Sequence, residues 1–383
     1  MVTLGPLDVA SIGLACVSMA GVFQAAAGVH ALHRFRRRTP DAPMALPAVT
    51  ILKPLHGDEP MLEEALASCC QQDYPSFQLV FGLQDPNDPA IAVLHRLRQR
   101  FPLVAMEVVI DRTQHGANRK IGNLINMLPH ARHDVLVIAD SDMHVAPDYL
   151  TRLVAALEQP GTGLVTTLYA GRAATETLAA KLGAAQINHA FLPGALLARV
   201  MGRQDCLGAT MALTRETLDR VGGLHALVDH LADDAVLGRL VQRLGLGVTL
   251  AGTIPSTTVP ETHMPALLQH ELRWARTVKS LVPVEFALSA VQFPLFWAAL
   301  TVGVSGGEGW AWGLFAVVWM ARALMAHALD RDLKVASALT IWCLPLRDLL
   351  SVTVVLASYR TRRVAWRGHV MLATRPSLAP GKG

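Results

Sequence analysis

The chain is short of charge and short of paired cysteines, and each shortage excludes something. Only 17% of its 383 residues are Asp, Glu, Lys or Arg, against 52% hydrophobic. That balance is more apolar than in most soluble enzymes. The net charge is only +4, too small to argue for nucleic acid, and no nucleic-acid partner is expected. Basic residues stand mainly beside apolar segments, where an anionic membrane surface accounts for them. The five cysteines are Cys16, Cys69, Cys70, Cys206 and Cys343, without CxxC spacing. An odd count in that pattern argues against a disulfide framework and a zinc site. They read as reduced packing residues. No internal repeat or low-complexity tract is evident.

The apolar excess lies at the two ends. Residues 9–32 are nearly free of charge and exceed the roughly 20 residues a bilayer span needs. Arg34, Arg36, Arg37 and Arg38 follow directly. A signal peptide carries its charge before the apolar run, so this segment reads as an N-terminal transmembrane anchor. The positive-inside rule puts its N-terminus outside and the rest in the cytoplasm. Near the other end, 286–305, 310–329 and 335–357 are apolar and make up a membrane region, 286–357, before a basic tail, 358–383. Three crossings would carry that tail outside. Pro345, Arg347 and Asp348 interrupt the third stretch, and charge inside a span is costly unless paired. The third stretch is therefore expected to be re-entrant or interfacial, with the tail in the cytoplasm.

Between the ends, after a linker over 39–47, residues 48–282 alternate short β-rich runs with helical ones. Strands are expected at 49–53, 77–83, 106–111, 134–140 and 163–168, with helices at 61–72 and 90–101. Such alternation implies an α/β fold with a mostly parallel sheet. Ligands gather at the carboxyl ends of strands in such sheets, and carboxylates stand there. Asp140 and Asp142 follow the apolar run VLVIA on a tight turn. Their hard oxygens suit a divalent metal, Mg²⁺ or Mn²⁺, bridging the phosphates of a nucleotide diphosphate. Asp85 follows another buried strand and could contact base or ribose. Turn chemistry accounts for its neighbours Asn87 and Asp88. Lys120 opens a helix and could hold phosphate, or be an ordinary solvated lysine.

Asp233 and Asp234 begin a helical run, where the helix dipole alone favours acids; one of them could instead take the proton of an acceptor hydroxyl. The run 265–282 reads as a basic amphipathic helix at the membrane interface. Within it Arg273 could clamp a diphosphate with parallel donors, and Trp274 could wall the acceptor site.

Together these strings resemble the ceramide glucosyltransferase family, glycosyltransferase family 21, over about 49–277. The carriers are ILKPLHGDEPMLEEAL, QQDYPSFQLVFGLQDPNDPA, GANRKIGNLINML, DVLVIADSDMHV, VGGLHALVDHLADDAVLG and HELRWART. The resemblance implies an A-type nucleotide-sugar-binding glycosyltransferase domain flanked by N-terminal and C-terminal transmembrane helices. It puts the family's three aspartates on Asp85, Asp140 and Asp234, with Asp234 as the base of an inverting transfer from a UDP-sugar to a lipid. The family's (Q/R)xxRW motif falls on His270 to Trp274, with His270 departing from the pattern at its first position. The wording of 118–150, 184–200 and 204–213 looks most like the bacterial hopanoid branch. That implies transfer of N-acetylglucosamine to a hopanoid, in the bacterial cytoplasmic membrane with the catalytic domain facing the cytoplasm. The alternative acceptor is ceramide, with UDP-glucose as donor. A processive polysaccharide synthase shares the aspartates and the Arg-Trp pair, but the apolar segments are few for a polymer channel. A non-catalytic membrane scaffold would not require the carboxylates to line one cleft.

Overall fold

Runs of β-branched and aliphatic residues form the strands, and those at the centre of the sheet are buried on both faces. A computed structural model describes residues 5–38, 42–335, 339–361, 363–366 and 369–372. Part of the expected linker and most of the expected basic tail lie outside the described residues.

The chain divides into two compact units. The first is drawn mainly from 38–170 and 202–260. It contains β1 (Val49–Pro54), β2 (Phe77–Leu83), β3 (Ala105–Ile110), β4 (Val135–Ala139), β5 (Met143–His144) and β6 (Thr162–Thr166). After β7 (Ala170–Ala173), which leads out of this unit, come β8 (Thr210–Thr214), β9 (Gly247–Leu250) and β10 (Ser256–Val259). A seven-stranded sheet has the order β3-β2-β1-β4-β8-β6-β9. Val49 of β1 registers with Phe77 of β2 and Val135 of β4, both parallel. Only β8 runs against its neighbours, Ala139 pairing with Thr210 and Val165 with Ala212.

Alternation along the strands splits the core into two layers. Ile51, Leu79 and Val137 face one side, against helices carrying Leu66, Val93, Leu97 and Leu153. Leu52, Val80 and Ile138 face the other, against Ile121, Leu124, Val236 and Leu237. Helices on both faces explain why β4 reads as an unbroken apolar run and β1 as a mainly apolar one. The expected mostly parallel α/β fold is present, and each expected strand lies within one or two residues of its place. The antiparallel β8 was not anticipated. It matters because β8 begins where β4 ends, so the loop before it meets the turn after β4: Asp140 N–H donates to Ala209 O at 3.2 Å.

The second unit gathers the described residues of Met1–Arg37, Gly171–Met201 and Glu261–Arg375. Residues 171–201 and the 265–282 helix, expected with the soluble domain, therefore group with the apolar helices. Among the described residues three helices are long and apolar enough to cross a membrane: Pro6–Arg37, Gly309–Leu333 and Ile341–Arg360. The pair Pro283–Gln292 and Pro294–Val304 makes a fourth if counted as one span, bent by 70°. That bend falls in the first C-terminal stretch; residues 336–338 of the third lie outside the described residues. Close packing is visible at Gly21, where a Cβ would collide with Val291 O; small residues permit such approach in helical membrane bundles.

Candidate active site

The turn after β4 is pinned from two sides. Lys53, fully buried on β1, donates from Nζ to Asp140 O at 2.7 Å. Ser141 Oγ donates to Glu59 Oε2 at 2.6 Å. Asp142 accepts from the Thr257 hydroxyl of β10. Burial, then the charge of Asp140, pushes the Asp142 carboxyl up to about 6. Two carboxylates are thus crowded in a half-buried site, with Glu59 adding to the negative field. This is a hard-oxygen donor set whose excess negative charge a divalent cation would relieve. It fits the expected Mg²⁺ or Mn²⁺. Among the described residues no group of three or more His, Cys, Asp or Glu is arranged to hold a metal, so substrate or water oxygens would have to complete the shell.

Lys120 stands at the middle of the carboxylates. It lies in the first turn of the Arg119–Met127 helix, which Asn118 caps by accepting from Ile121 N–H at 3.2 Å. Its ammonium is 2.6 Å from Asp140 Oδ1 and 3.9 Å from Asp233 Oδ2, and it donates to Gly208 O at 3.4 Å. Burial alone would depress its pKa, but Asp140 and then Asp233 hold it above the usual lysine value. The solvated-lysine reading is therefore wrong for Lys120. It ties the turn after β4 to the helix Asp233–Arg243.

The two acids that begin that helix are placed differently. Asp233 is buried, accepts from Asn118 Nδ2 at 3.3 Å and faces Lys120. Asp234 Oδ2 accepts from Gly208 N–H at 2.8 Å, and Oδ1 from its neighbour Ala235 N–H at 2.7 Å. The fit is tight at Gly208, where a Cβ would stand 3.0 Å from Asp234 Oδ2. Burial, then the Asp233 charge, raises the Asp234 carboxyl to about 6. A carboxylate has about four lone-pair positions, so each oxygen keeps room to accept a hydroxyl. Such a group is mostly ionised at neutral pH and close to the ideal of a general base.

Asp85 stands at the carboxyl end of β2, hence at the same end of the sheet as Asp140. It is exposed, and its Oδ1 accepts from Asn87 N–H at 3.0 Å. Asp88 is buried and organises the loop, accepting from Gly57 N–H at 2.9 Å and from Ala90 N–H at 2.9 Å. The structure thus brings Lys120, Asp140, Asp142, Asp233 and Asp234 together. Among the described residues it records no bond from Asp85 to them. Lys53, Glu59, Asn118, Gly208 and Thr257 were not anticipated. A lysine inside the apolar run VTILK and an Asn directly before a helix were the signals available for the first and third.

His270, Arg273 and Trp274 lie on the Met264–Leu281 helix of the second unit. His270 Nδ1 pairs with Glu261 Oε1, and its ring meets Trp274 edge-on at 4.7 Å between centroids. Burial opposes ionisation of Glu261, but the hydrogen bond and charge of His270 hold it below the usual value. Phe191 lies 6.3 Å from Trp274. The departure of His270 from the family pattern is thus accompanied by a carboxylate partner and an aromatic neighbour.

The model of glycosyl transferase family 21 matches residues 13–377. The chain belongs to glycosyl transferase family 21. Its curated relatives include a ceramide glucosyltransferase of Komagataella phaffii, 32% identical over 32% of this chain and 25% of that protein. Ceramide glucosyltransferase 1 of Caenorhabditis elegans is 24% identical over 56% of this chain and 46% of that protein. The match spans about a quarter to a half of these relatives' length. Among solved structures, the mannosyltransferase PcManGT of Pyrobaculum calidifontis, in complex with GDP-Man and Mn²⁺, is 18% identical. That match covers 90% of this chain and 99% of that one, with a TM-score of 0.49. S. aureus TarS 1-349 in complex with UDP-GlcNAc gives 14% identity and a TM-score of 0.40, over 85% of this chain and 96% of that one. The family 21 domain here is an open, mostly parallel sheet with one antiparallel strand, of the A-type glycosyltransferase class.

Proposed function

We propose that this family 21 member is an inverting hexosyltransferase that moves a sugar from a UDP-sugar to a lipid hydroxyl, with ceramide and UDP-glucose the leading pair. The observation that carries the chemistry is the Lys120-centred cluster. It brings a base of suitable pKa, Asp234, into one charge network with the Asp140–Asp142 turn. The names of the relatives favour ceramide. The expected hopanoid acceptor and N-acetylglucosamine donor find no support among them.

In the proposed reaction the lipid O–H gives its proton to Asp234 as its oxygen attacks the anomeric carbon. The bond from that carbon to the UDP oxygen breaks on the opposite face, and UDP leaves. Asp140 and Asp142 would hold a divalent metal, Mg²⁺ or Mn²⁺, whose charge offsets that of the diphosphate. Lys120 holds Asp140 in place through the 2.6 Å ion pair, and its charge favours the ionised form of Asp234. Asp85 and Arg273 are assigned to the nucleotide and diphosphate, and Trp274 and His270 to the acceptor side, on the strength of the family motif. The apolar helices of the second unit would keep the enzyme where a lipid acceptor resides, with the catalytic domain in the cytoplasm.

The test is transfer by the purified full-length chain in detergent. UDP-glucose and UDP-N-acetylglucosamine are each paired with ceramide and with a polyol-bearing hopanoid, with and without Mg²⁺ or Mn²⁺. Glucosylation of ceramide is the expected result. Transfer of N-acetylglucosamine to the hopanoid would restore the other acceptor, and polymer without glycolipid would replace both with a processive synthase.

A further inference from the structure

The Met264–Leu281 helix buries a narrow stripe: Leu267, Glu271 and Ala275. These recur every four residues, as one helical face requires, yet the middle position is a carboxylate. It is met by Arg347, 1% exposed on the helix Leu344–Ala357. Arg347 Nη1 donates to Glu271 Oε1 at 2.7 Å and Nη2 to Glu271 Oε2 at 2.8 Å. The same guanidinium donates to Leu182 O at 3.2 Å and to Ser351 Oγ. Ser351 Oγ donates in turn to Gln186 Oε1 at 3.0 Å. One arginine therefore joins three helices through a fork that accepts one orientation of the carboxylate.

Buried ion pairs contribute little net stability compared with apolar packing; their best-attested use is to fix register. Leucine and alanine contacts alone would tolerate a small slide or rotation of the helix. A one-residue shift, about 100° and 1.5 Å, would leave both charges unpaired in apolar surroundings. We propose that Arg347 is a positioning residue for the Arg273–Trp274 pair. By clamping Glu271 it fixes the rotation and axial register of the helix that presents them. Arg273 lies two residues on, about 200° around the axis, on the face opposite the clamp. Trp274 flanks it, against His270. The link to the reaction rests on the proposed diphosphate role of Arg273.

The test uses the full-length protein in lipid nanodiscs, with UDP-glucose and ceramide as substrates and hydrogen exchange of 264–281 as a readout independent of activity. Arg347→Met alone leaves a buried carboxylate unpaired and tests folding as much as function. The decisive variant is the double substitution Glu271→Leu with Arg347→Met, which removes both charges and keeps apolar packing. It is expected to keep its melting temperature but exchange faster over 264–281. Its KM for UDP-glucose should rise about tenfold, as for a misplaced binding group. Arg347→Lys, which keeps the charge without the fork, should fall between. Wild-type exchange together with wild-type KM in the double variant would overturn the proposal. Arg273→Ala, run in parallel, separates the two claims: an unchanged donor KM there removes the role of Arg273. Exchange over 264–281 still decides the clamp, and does so even if no glycolipid is formed.

Discussion

Replacing Lys120 by Met should expose how much of the site rests on one ammonium. Lys120 is 2.6 Å from Asp140 and 3.9 Å from Asp233, with 14% of its side chain exposed. Removing one member of a buried pair costs about 3–5 kcal/mol. Asp140 is 38% exposed and solvent screens part of its loss, so about 3 kcal/mol is expected. At about 2–4 °C per kcal/mol for a domain of this size, that lowers the melting temperature by about 6–12 °C. A second consequence is specific to the chemistry. Lys120 favours the ionised form of Asp234, whose carboxyl already stands at about 6. Without Lys120 it rises further, and the acid limb of the pH profile of kcat/KM moves toward neutrality. The sign for folding is opposite to that for activity. A raised carboxyl pKa means the folded chain binds that proton more tightly, so between the ordinary value, 3.8, and about 6 Asp234 favours folding as pH falls. Activity lost over that window is therefore not explained by unfolding at Asp234. Both quantities come from one purified variant, by thermal unfolding and initial rates between pH 5 and 8. An unmoved acid limb with intact activity would refute the coupling of Lys120 to the base.

Three further substitutions probe separate parts. Asp234→Asn should bind UDP-sugar almost as wild type while transfer falls about 10²–10⁴-fold, the usual worth of a general base; full activity would remove Asp234 from that role. Asp142→Ala should raise the metal concentration needed for UDP-sugar binding by more than about tenfold, since even outer-shell partners of metal ligands matter that much; calorimetric titration with Mn²⁺ checks it. Gly208→Ala puts a methyl 3.0 Å from Asp234 Oδ2. It should cut transfer about tenfold through misplacement of the base, with UDP affinity unchanged by fluorescence titration.

The parallel strands were legible because a strand buried on both faces is written as a mainly apolar run: VLVIA is unbroken, and the polar Thr50, Lys53 and Gln78 within VTILK and FQLVFGL are buried with their apolar neighbours. The carboxylates at their ends stood out by contrast. Strand β8, TMALT, is equally apolar, but its direction depends on pairing with β4 and β6, which no local pattern encodes. Lys120 read as ambiguous because its partners are remote: Asp140 lies 20 residues on and Asp233 over a hundred. The difference between Asp233 and Asp234 was hidden for the same reason. Asn118 and Lys120 engage the first, Gly208 N–H the second, and adjacent identical residues carry no local sign of it. Arg347 and Asp348 looked like interruptions of a span. The structure pairs Arg347 with Glu271, and Asp348 accepts from Leu295 N–H at 3.1 Å. Charge in an apolar segment signals a partner as readily as a break.

The linkage of the glycolipid product tests the proposed single displacement most directly. Full-length protein, α-linked UDP-glucose and ceramide are incubated in detergent, and the anomeric configuration of the lipid product is read by NMR. Attack by a hydroxyl deprotonated at Asp234 predicts a β-linked product. An α-linked product, or no glycolipid from a chain that still binds UDP-glucose, would contradict it.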